Sequence, residues 1–296
     1  MSDGAGPGGV WELDAIGTRW RIETPAALPP AARSAVSATI GRFDAVWSRF
    51  RADSTVSGLA PGGGRVPLPP DGREMLDLYA VLSTATDGAV NPLVGDSLQR
   101  LGYDAAYSLR AGEPLPAPRA WQDALRWTGE ELVLDVPATI DVGALGKGRL
   151  VDLVAGVLEP WAPRAVVDAS GDVLVRGGRE RIGLEHPYDP RRAIGVVEVA
   201  DAALCASATT RRAWGDGLHH VLDARTGIPV RTYAATWAIA PTAMLADATA
   251  TALFFDGGPA FAHAHGVEWV RMTTDGRVEW SPGCAAELFV TGRETS

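Results

Sequence analysis

Four segments of this 296-residue chain bring together residue types that could do chemistry. The first runs from Asp141 to Asp152 and reads Asp-Val-Gly-Ala-Leu-Gly-Lys-Gly-Arg-Leu-Val-Asp. Gly143, Gly146 and Gly148 fall within six residues, where a helix is expected to begin, so backbone N–H groups could approach an anion there. Lys147 would add a point charge. The glycine spacing matches neither a Walker A loop nor a dinucleotide-binding fingerprint, and a plain tight turn is the commoner explanation of such a segment. In the second segment, Asp247 and Thr251 stand four apart in a run of Ala, Leu and Phe, so they share one helical face. A carboxylate in so apolar a helix is costly to bury unpaired. Either Asp247 is solvated or caps the helix start, or it and the Thr251 hydroxyl are oxygen ligands for Mg²⁺.

The third segment, His219 to Gly227, sets His220 two residues before a strand-like Leu222-Asp223 and a turn holding Arg225 and Thr226. Such a His could serve as a general base near a phosphate. The His219-His220 pair could also bind a metal, but no third nitrogen ligand lies nearby, and a core or exposed histidine with no role is the commoner case. The fourth, Ser170-Gly171-Asp172, is a polar turn between two strand-like runs, which a simple hairpin also explains.

The overall balance narrows what these segments could bind. A net charge of −9 argues against nucleic acid or an anionic membrane as the main partner. It also means that a phosphate ligand needs local positive charge or a metal. Of the 27 basic residues, Lys147 is the single lysine. Cys205 and Cys284 have neither metal-ligand spacing nor a disulfide framework and read as small buried hydrophobes. No apolar run approaches the ~20 residues of a membrane span. Residues 1–10 are Gly-rich and polar, expected to be flexible, without the features of a secretory signal. The sequence as written therefore reads as cytoplasmic, with an exported form left open if a leader was removed.

Elements able to position these segments are legible from periodicity. Trp11–Glu23 reads as a strand pair or bent strand. Pro29-Pro30 opens a helix whose Val36, Ile40, Phe43, Trp47 and Phe50 share a face. Asp71–Thr86 reads as a helix capped by Asp71, with Met75, Leu78, Tyr79 and Leu82 buried. Further helices are expected at about Lys147–Leu158 and Thr242–Phe255. Short runs at Leu132, Ala165, Asp172, Arg181, Val196, His220 and Thr236 read as strands. The fold class expected is α+β with largely antiparallel sheets and packed helices, over residues 11–296 as one domain or two closely packed lobes.

Taken in order, the segments resemble the FAD:protein FMN transferase (ApbE) family. Ile16-Gly-Thr18 is similar to the family's opening Met-Gly-Thr strand. Trp47–Ser54 is like its "S-x-F-x-x-x-S" helix end, and Thr86–Gly95 like "T-x-G-A-F-D-P-T-V-G". The Asp141–Asp152 segment, the Ser170-Gly-Asp turn, His220–Gly227 ("H-I-I-D-P-R-T-G") and Ala246–Leu253 ("A-D-A-x-x-T-A-L") complete seven ordered matches over about residues 16–258. The resemblance implies an α+β flavin transferase that takes FAD as substrate with Mg²⁺ on its pyrophosphate. It would attach FMN to a Ser or Thr of an acceptor protein and release AMP. By position, Asp247, Thr251 and the Ala144 carbonyl look like the Mg²⁺ ligands, and His220 like the residue at the reacting phosphate. Lys147, Ser170, Gly171, Asp172, Thr209, Asp223 and Thr226 look like FAD-binding positions.

The chain departs from the family pattern at Ala206–Arg212, at Ala224 and at Arg149. The family's acceptors carry Asp-Gly-x-Ser/Thr. The Asp-Gly pairs at 3, 71, 87, 216, 256 and 275 are followed at that position by Gly6, Glu74, Val90, His219, Pro259 and Val278, none of them hydroxylic. The expected acceptor is therefore another protein. A FAD pyrophosphatase giving FMN and AMP, or a non-catalytic FAD-binding or storage protein, would use the same residues.

Overall fold

The computed structural model describes residues 8–289 and 292–294. Strand Gly9–Ala15 forms a hairpin with Thr18–Thr24, so Gly9 and Val10 belong to a strand rather than to a flexible terminus; residues 1–7 lie outside the described residues. Pro30 opens helix α1 (Pro30–Trp47), where its missing N–H costs nothing. Val36, Ile40, Phe43 and Trp47 are buried along one face. Phe50, expected on the same stripe, lies beyond the helix because the backbone turns extended at Ser48.

Helix α2 (Thr55–Leu59) is short and capped by the Ser54 hydroxyl. In α3 (Gly72–Ala85), Met75, Leu76, Tyr79 and Leu82 face the core. Asp71 stands at its cap position without capping it: the carboxylate is held by the Arg149 guanidinium at 3.0 Å, a charge-assisted contact that outcompetes a neutral cap bond. Helices α4 (Gly95–Arg100) and α5 (Trp121–Ala124) are too short to leave a periodic signal. Then come α6 (Gly146–Leu158), α7 (Ala243–Ala252) and α8 (Gly258–Ala264).

The central sheet has nine strands, in spatial order Gly9–Ala15, Thr18–Thr24, Ala165–Asp168, Asp172–Arg176, Ala203–Ala208, Tyr233–Ala240, Glu268–Thr273, Val278–Trp280 and Gly292–Glu294. Every neighbouring pair is antiparallel except the last, which bears out the expected fold class. Alternation along the strands gives the sheet two apolar faces. Val167, Leu174 and Cys205 face the core shared with α1, α3, α6 and α7, of which α6 and α7 lie against these strands, while Val173, Val175 and Leu204 meet a smaller sheet formed by Arg179–Glu185, Ala193–Ala200 and Glu287–Leu288. A third sheet of Gly64–Pro67, Leu125–Thr128 and Glu131–Leu134 lies to the side. Among the described residues no helix is long and apolar enough to cross a membrane.

The run expected as one strand from His220 to Asp223 is broken. Leu218–His219 pairs with Ala213–Trp214, Leu222–Asp223 pairs with Ile228–Pro229, and His220 falls at the corner between the two ladders.

Helices α6 and α7 approach most closely at Gly148. A Cβ there would lie 2.2 Å from the Ala243 carbonyl oxygen and 2.7 Å from Asp247 Cβ. Gly156, on the same helix, has open space around it. Gly148→Ala is therefore expected to cost about 1–3 kcal/mol through overpacking, whereas Gly156→Ala is expected to gain about 0.5–1 kcal/mol from helix propensity. Urea titration of both variants checks this; equal effects would contradict the close approach.

Candidate functional site

A cavity of about 660 Å³ opens between the end of α1, the loop leading into α6, the Ile16-Gly17 hairpin turn and the corner at His220. Part of its wall is aromatic. Phe50 and Tyr107 stack at 5.4 Å and 9°, Tyr103 and Trp214 at 5.4 Å and 19°, and Phe50 meets Tyr103 edge-on. Arg49 holds this wall in place: buried, it forms an ion pair with Asp141, donates to the Tyr103 carbonyl at 2.8 Å and lies 4.1 Å from the Phe50 ring centre. Trp214 Nε1 donates to the Leu101 carbonyl at 2.9 Å.

The rest of the wall carries Ala144, Lys147, Ser207, Arg212, His220 and Thr251. The Tyr79 hydroxyl shapes the loop before α6, donating to the Asp141 carbonyl at 3.1 Å and accepting from Ala144 N at 3.2 Å. In that conformation the Ala144 carbonyl oxygen lies 3.1 Å from Thr251 Oγ1. Helix α7 is fixed from below. Asp152 accepts from the N–H groups of Ala243 and Met244 at 2.8 and 2.9 Å, and Thr242 caps its own helix through Leu245 N. One helical turn beyond, Asp247 is buried and accepts from Gly148 N at 2.9 Å through Oδ2.

Charge is concentrated behind this polar wall. Asp172 is buried, and its single charged partner is Lys147, whose Nζ lies 3.1 Å away and also donates to the Ala169 carbonyl at 3.1 Å. Burial pushes the Asp247 carboxyl up to about 8, reinforced by Asp172 and opposed by Lys147. Burial raises Asp172 as well. Lys147 in contact, and the Arg212 guanidinium from farther off, offset these two enclosed carboxyl groups only in part. The oxygen donors Asp247, Thr251 Oγ1 and the Ala144 carbonyl suit a small hard ion such as Mg²⁺. Among the described residues no cluster of three His, Cys, Asp or Glu side chains could hold a metal. A backbone and a hydroxyl oxygen must complete any such set.

The two histidines separate. His219 is locked in the core, with Nε2 2.9 Å from the Val230 carbonyl and Nδ1 accepting from Val221 N. His220 lines the cavity, and its enclosed Nδ1 has no hydrogen-bond partner. Burial, then the Arg212 guanidinium, push its pKa down to about 3 against a hydrogen bond with the Arg212 backbone, so the ring is neutral at pH 7.

Of the residues singled out from sequence, Ala144, Lys147, His220 and Thr251 line the cavity, with Asp247 and Asp172 buried next to them. Asp141, Gly143 and Gly146 of the first segment line it as well, whereas Ser170, Gly171, Thr209, Asp223 and Thr226 do not reach its wall. Ser170 Oγ donates to the Arg19 carbonyl, and Gly171 N donates to Asp168. Thr209 is tied to the Ala234 carbonyl, Asp223 pairs with Arg225 at 2.7 Å, and Thr226 Oγ1 accepts from Ile228 N. Their polar groups are consumed by local turns. Arg49, Tyr79, Asp152 and the aromatic wall were missed as site residues. Asp152 and Tyr79 were visible only as a segment end and a core position.

The sequence model of the ApbE family matches residues 16–270. A FAD:protein FMN transferase from Rhodobacter capsulatus is 27% identical, aligned over 92% of this chain and 57% of its own length. The chain thus spans little more than half of that relative. One from Klebsiella pneumoniae (strain 342) is 28% identical over 68% of this chain and 67% of its own. The crystal structure of the ApbE protein of Thermotoga maritima superposes with a TM-score of 0.82 at 22% identity, covering 93% of this chain and 97% of that one. The Pseudomonas stutzeri flavinyl transferase ApbE gives 0.75 at 21% identity, covering 95% and 97%. At those identities the superpositions establish the fold.

The raised Asp247 pKa has a measurable sign. The folded protein keeps this proton up to about pH 8, whereas the unfolded chain loses it near its ordinary value of about 4. The group's contribution to stability therefore falls as pH rises between those values. Without divalent cations, Asp247→Asn is expected to melt above wild type, by a margin that grows from about pH 5 to about pH 8. Added Mg²⁺ should raise the wild-type Tm near pH 8 and leave the variant unmoved. A pH-independent difference in Tm would contradict the burial of this charge.

Proposed function

This chain belongs to the ApbE family, and we propose that it is a FAD:protein FMN transferase, joining the FMN half of FAD to a Ser or Thr of an acceptor protein and releasing AMP. The observation that carries the reading is one cavity whose wall combines stacked aromatic rings with Lys147, His220, Thr251 and the Ala144 carbonyl. Flat ring systems such as flavin and adenine suit the aromatic portion. The anionic pyrophosphate suits the polar portion, where a protein of net charge −9 gathers cations. Asp247, Thr251 and Ala144 would hold Mg²⁺, which when bound draws charge from the phosphate oxygens.

The chain's own residues supply the remainder. Lys147, anchored by Asp172 and the Ala169 carbonyl, holds its ammonium at the phosphate end with no freedom to drift. The His220 ring takes the proton of the acceptor hydroxyl as that oxygen bonds to the FMN-side phosphorus. The bond from that phosphorus to the bridging oxygen breaks, and AMP leaves with the bonding pair. Anionic phosphate beside the ring raises its proton affinity from the low value of the empty cavity. The acceptor would present Asp-Gly-x-Ser/Thr.

The test mixes the protein with FAD, Mg²⁺ and a small domain carrying Asp-Gly-x-Thr, and reads the intact mass of that domain. An FMN adduct that requires Mg²⁺ is expected. His220→Ala is expected to slow its formation by about 10²-fold or more while FAD still binds. FMN and AMP without an adduct would shift the reading to a pyrophosphatase. Bound FAD with neither product would leave a storage protein.

A further inference from the structure

Four cationic side chains line the cavity: Arg49, Arg51, Lys147 and Arg212. Three are already matched. Arg49 pairs with Asp141, Arg51 with Asp44 and Asp53, and Lys147 with Asp172. Among the described residues Arg212 has no carboxylate within ion-pair distance, although its charge reaches the buried Asp172 and Asp247 and favours their ionised forms. The Lys147 charge is largely balanced by a buried carboxylate, so an incoming dianion meets little uncommitted positive charge from it.

Resting on the flavin-transferase reading, we propose that Arg212 binds the pyrophosphate of the substrate, as a second fixed cation beside His220. Its backbone is held from both sides. Ahead of it, the turn is tied down residue by residue: Thr209 N and Oγ1 both donate to the Ala234 carbonyl, Thr210 Oγ1 donates to the Pro187 carbonyl at 2.9 Å, and Arg211 pairs with Glu185 at 2.9 Å. After it, Ala213 and Trp214 pair with His219 and Leu218, and the Trp214 indole is bonded to the Leu101 carbonyl. The register Ala213↔His219 sets Arg212 opposite His220, just past the end of that short ladder.

The contrast with Arg211 gives the assignment its content. Both arginines are exposed and adjacent, yet Arg211 is turned outward onto Glu185, and Arg212 alone of the two lines the cavity. An exposed arginine in general needs no role, but one held over a cavity, unmatched, beside an enclosed imidazole is placed for an anion. The guanidinium's planar fork of donors fits phosphate oxygens bidentately, which an ammonium cannot do. Arg212 also closes the stretch Ala206–Arg212, where the sequence departs from the family pattern.

The test is calorimetric binding of ADP and of riboflavin to the whole protein with Mg²⁺ present, for wild type, Arg212→Ala, Arg212→Lys and the control Arg211→Ala. ADP carries the pyrophosphate without the flavin, and riboflavin the flavin rings without phosphate. Arg212→Ala is expected to weaken ADP by about tenfold or more, with riboflavin and the Tm unchanged. Arg212→Lys is expected to recover part of the loss, and Arg211→Ala to behave as wild type. Unchanged ADP affinity in Arg212→Ala, or an equal loss for riboflavin, would overturn the assignment while leaving the transferase reading intact. Failure of the wild type itself to bind either ADP or FAD would overturn both.

Discussion

Two enclosed carboxyl groups, Asp172 and Asp247, sit behind one wall of the cavity with a single ammonium, Lys147, between the sheet and the helices to balance them. Buried charge of one sign is expensive unless something compensates it, and much of the local architecture can be read as that compensation. Gly148 carries no side chain, so α7 comes close enough for the Gly148 N–H to reach Asp247. Asp152 grips the first N–H groups of α7. The alanines of α7 let the helix pack closely against both α6 and the central sheet. Under the proposed reading, an anionic substrate with its divalent cation would complete the charge balance of this corner.

On the proposed reading, an acidic protein would serve a doubly anionic ligand through short-range groups held in place before the ligand arrives. Arg49 is spent on structure, buried between Asp141 and two aromatic rings, and shows that a cation at a cavity wall is not by that fact a ligand contact. His220 is kept neutral by burial, which leaves it able to accept a proton rather than to bind phosphate as a cation.

The sequence disclosed what is local. Periodicity placed α1 and α3 because each presents one apolar face, and the four-residue spacing of Asp247 and Thr251 put both on the side of α7 nearest α6. What it did not disclose depends on residues far apart in the chain meeting. The Arg49–Asp141 pair and the Tyr79 contacts to the loop at Ala144 join segments that share no pattern. Thr209, Asp223 and Thr226 looked equally suited to a ligand, because turn chemistry and binding chemistry draw on the same side chains; here the turns take them. Which of two adjacent histidines faces the cavity was settled by a break between two short ladders, a feature that alternation alone cannot reveal.

A crystal grown with ADP and Mn²⁺, with anomalous scattering to locate the metal, tests the central assignment most directly. The account expects one strong peak within coordination distance of the Asp247 carboxylate, Thr251 Oγ1 and the Ala144 carbonyl, bridged to the ligand's phosphates. A metal bound elsewhere, with Asp247 still engaged by Gly148 N alone, would contradict it.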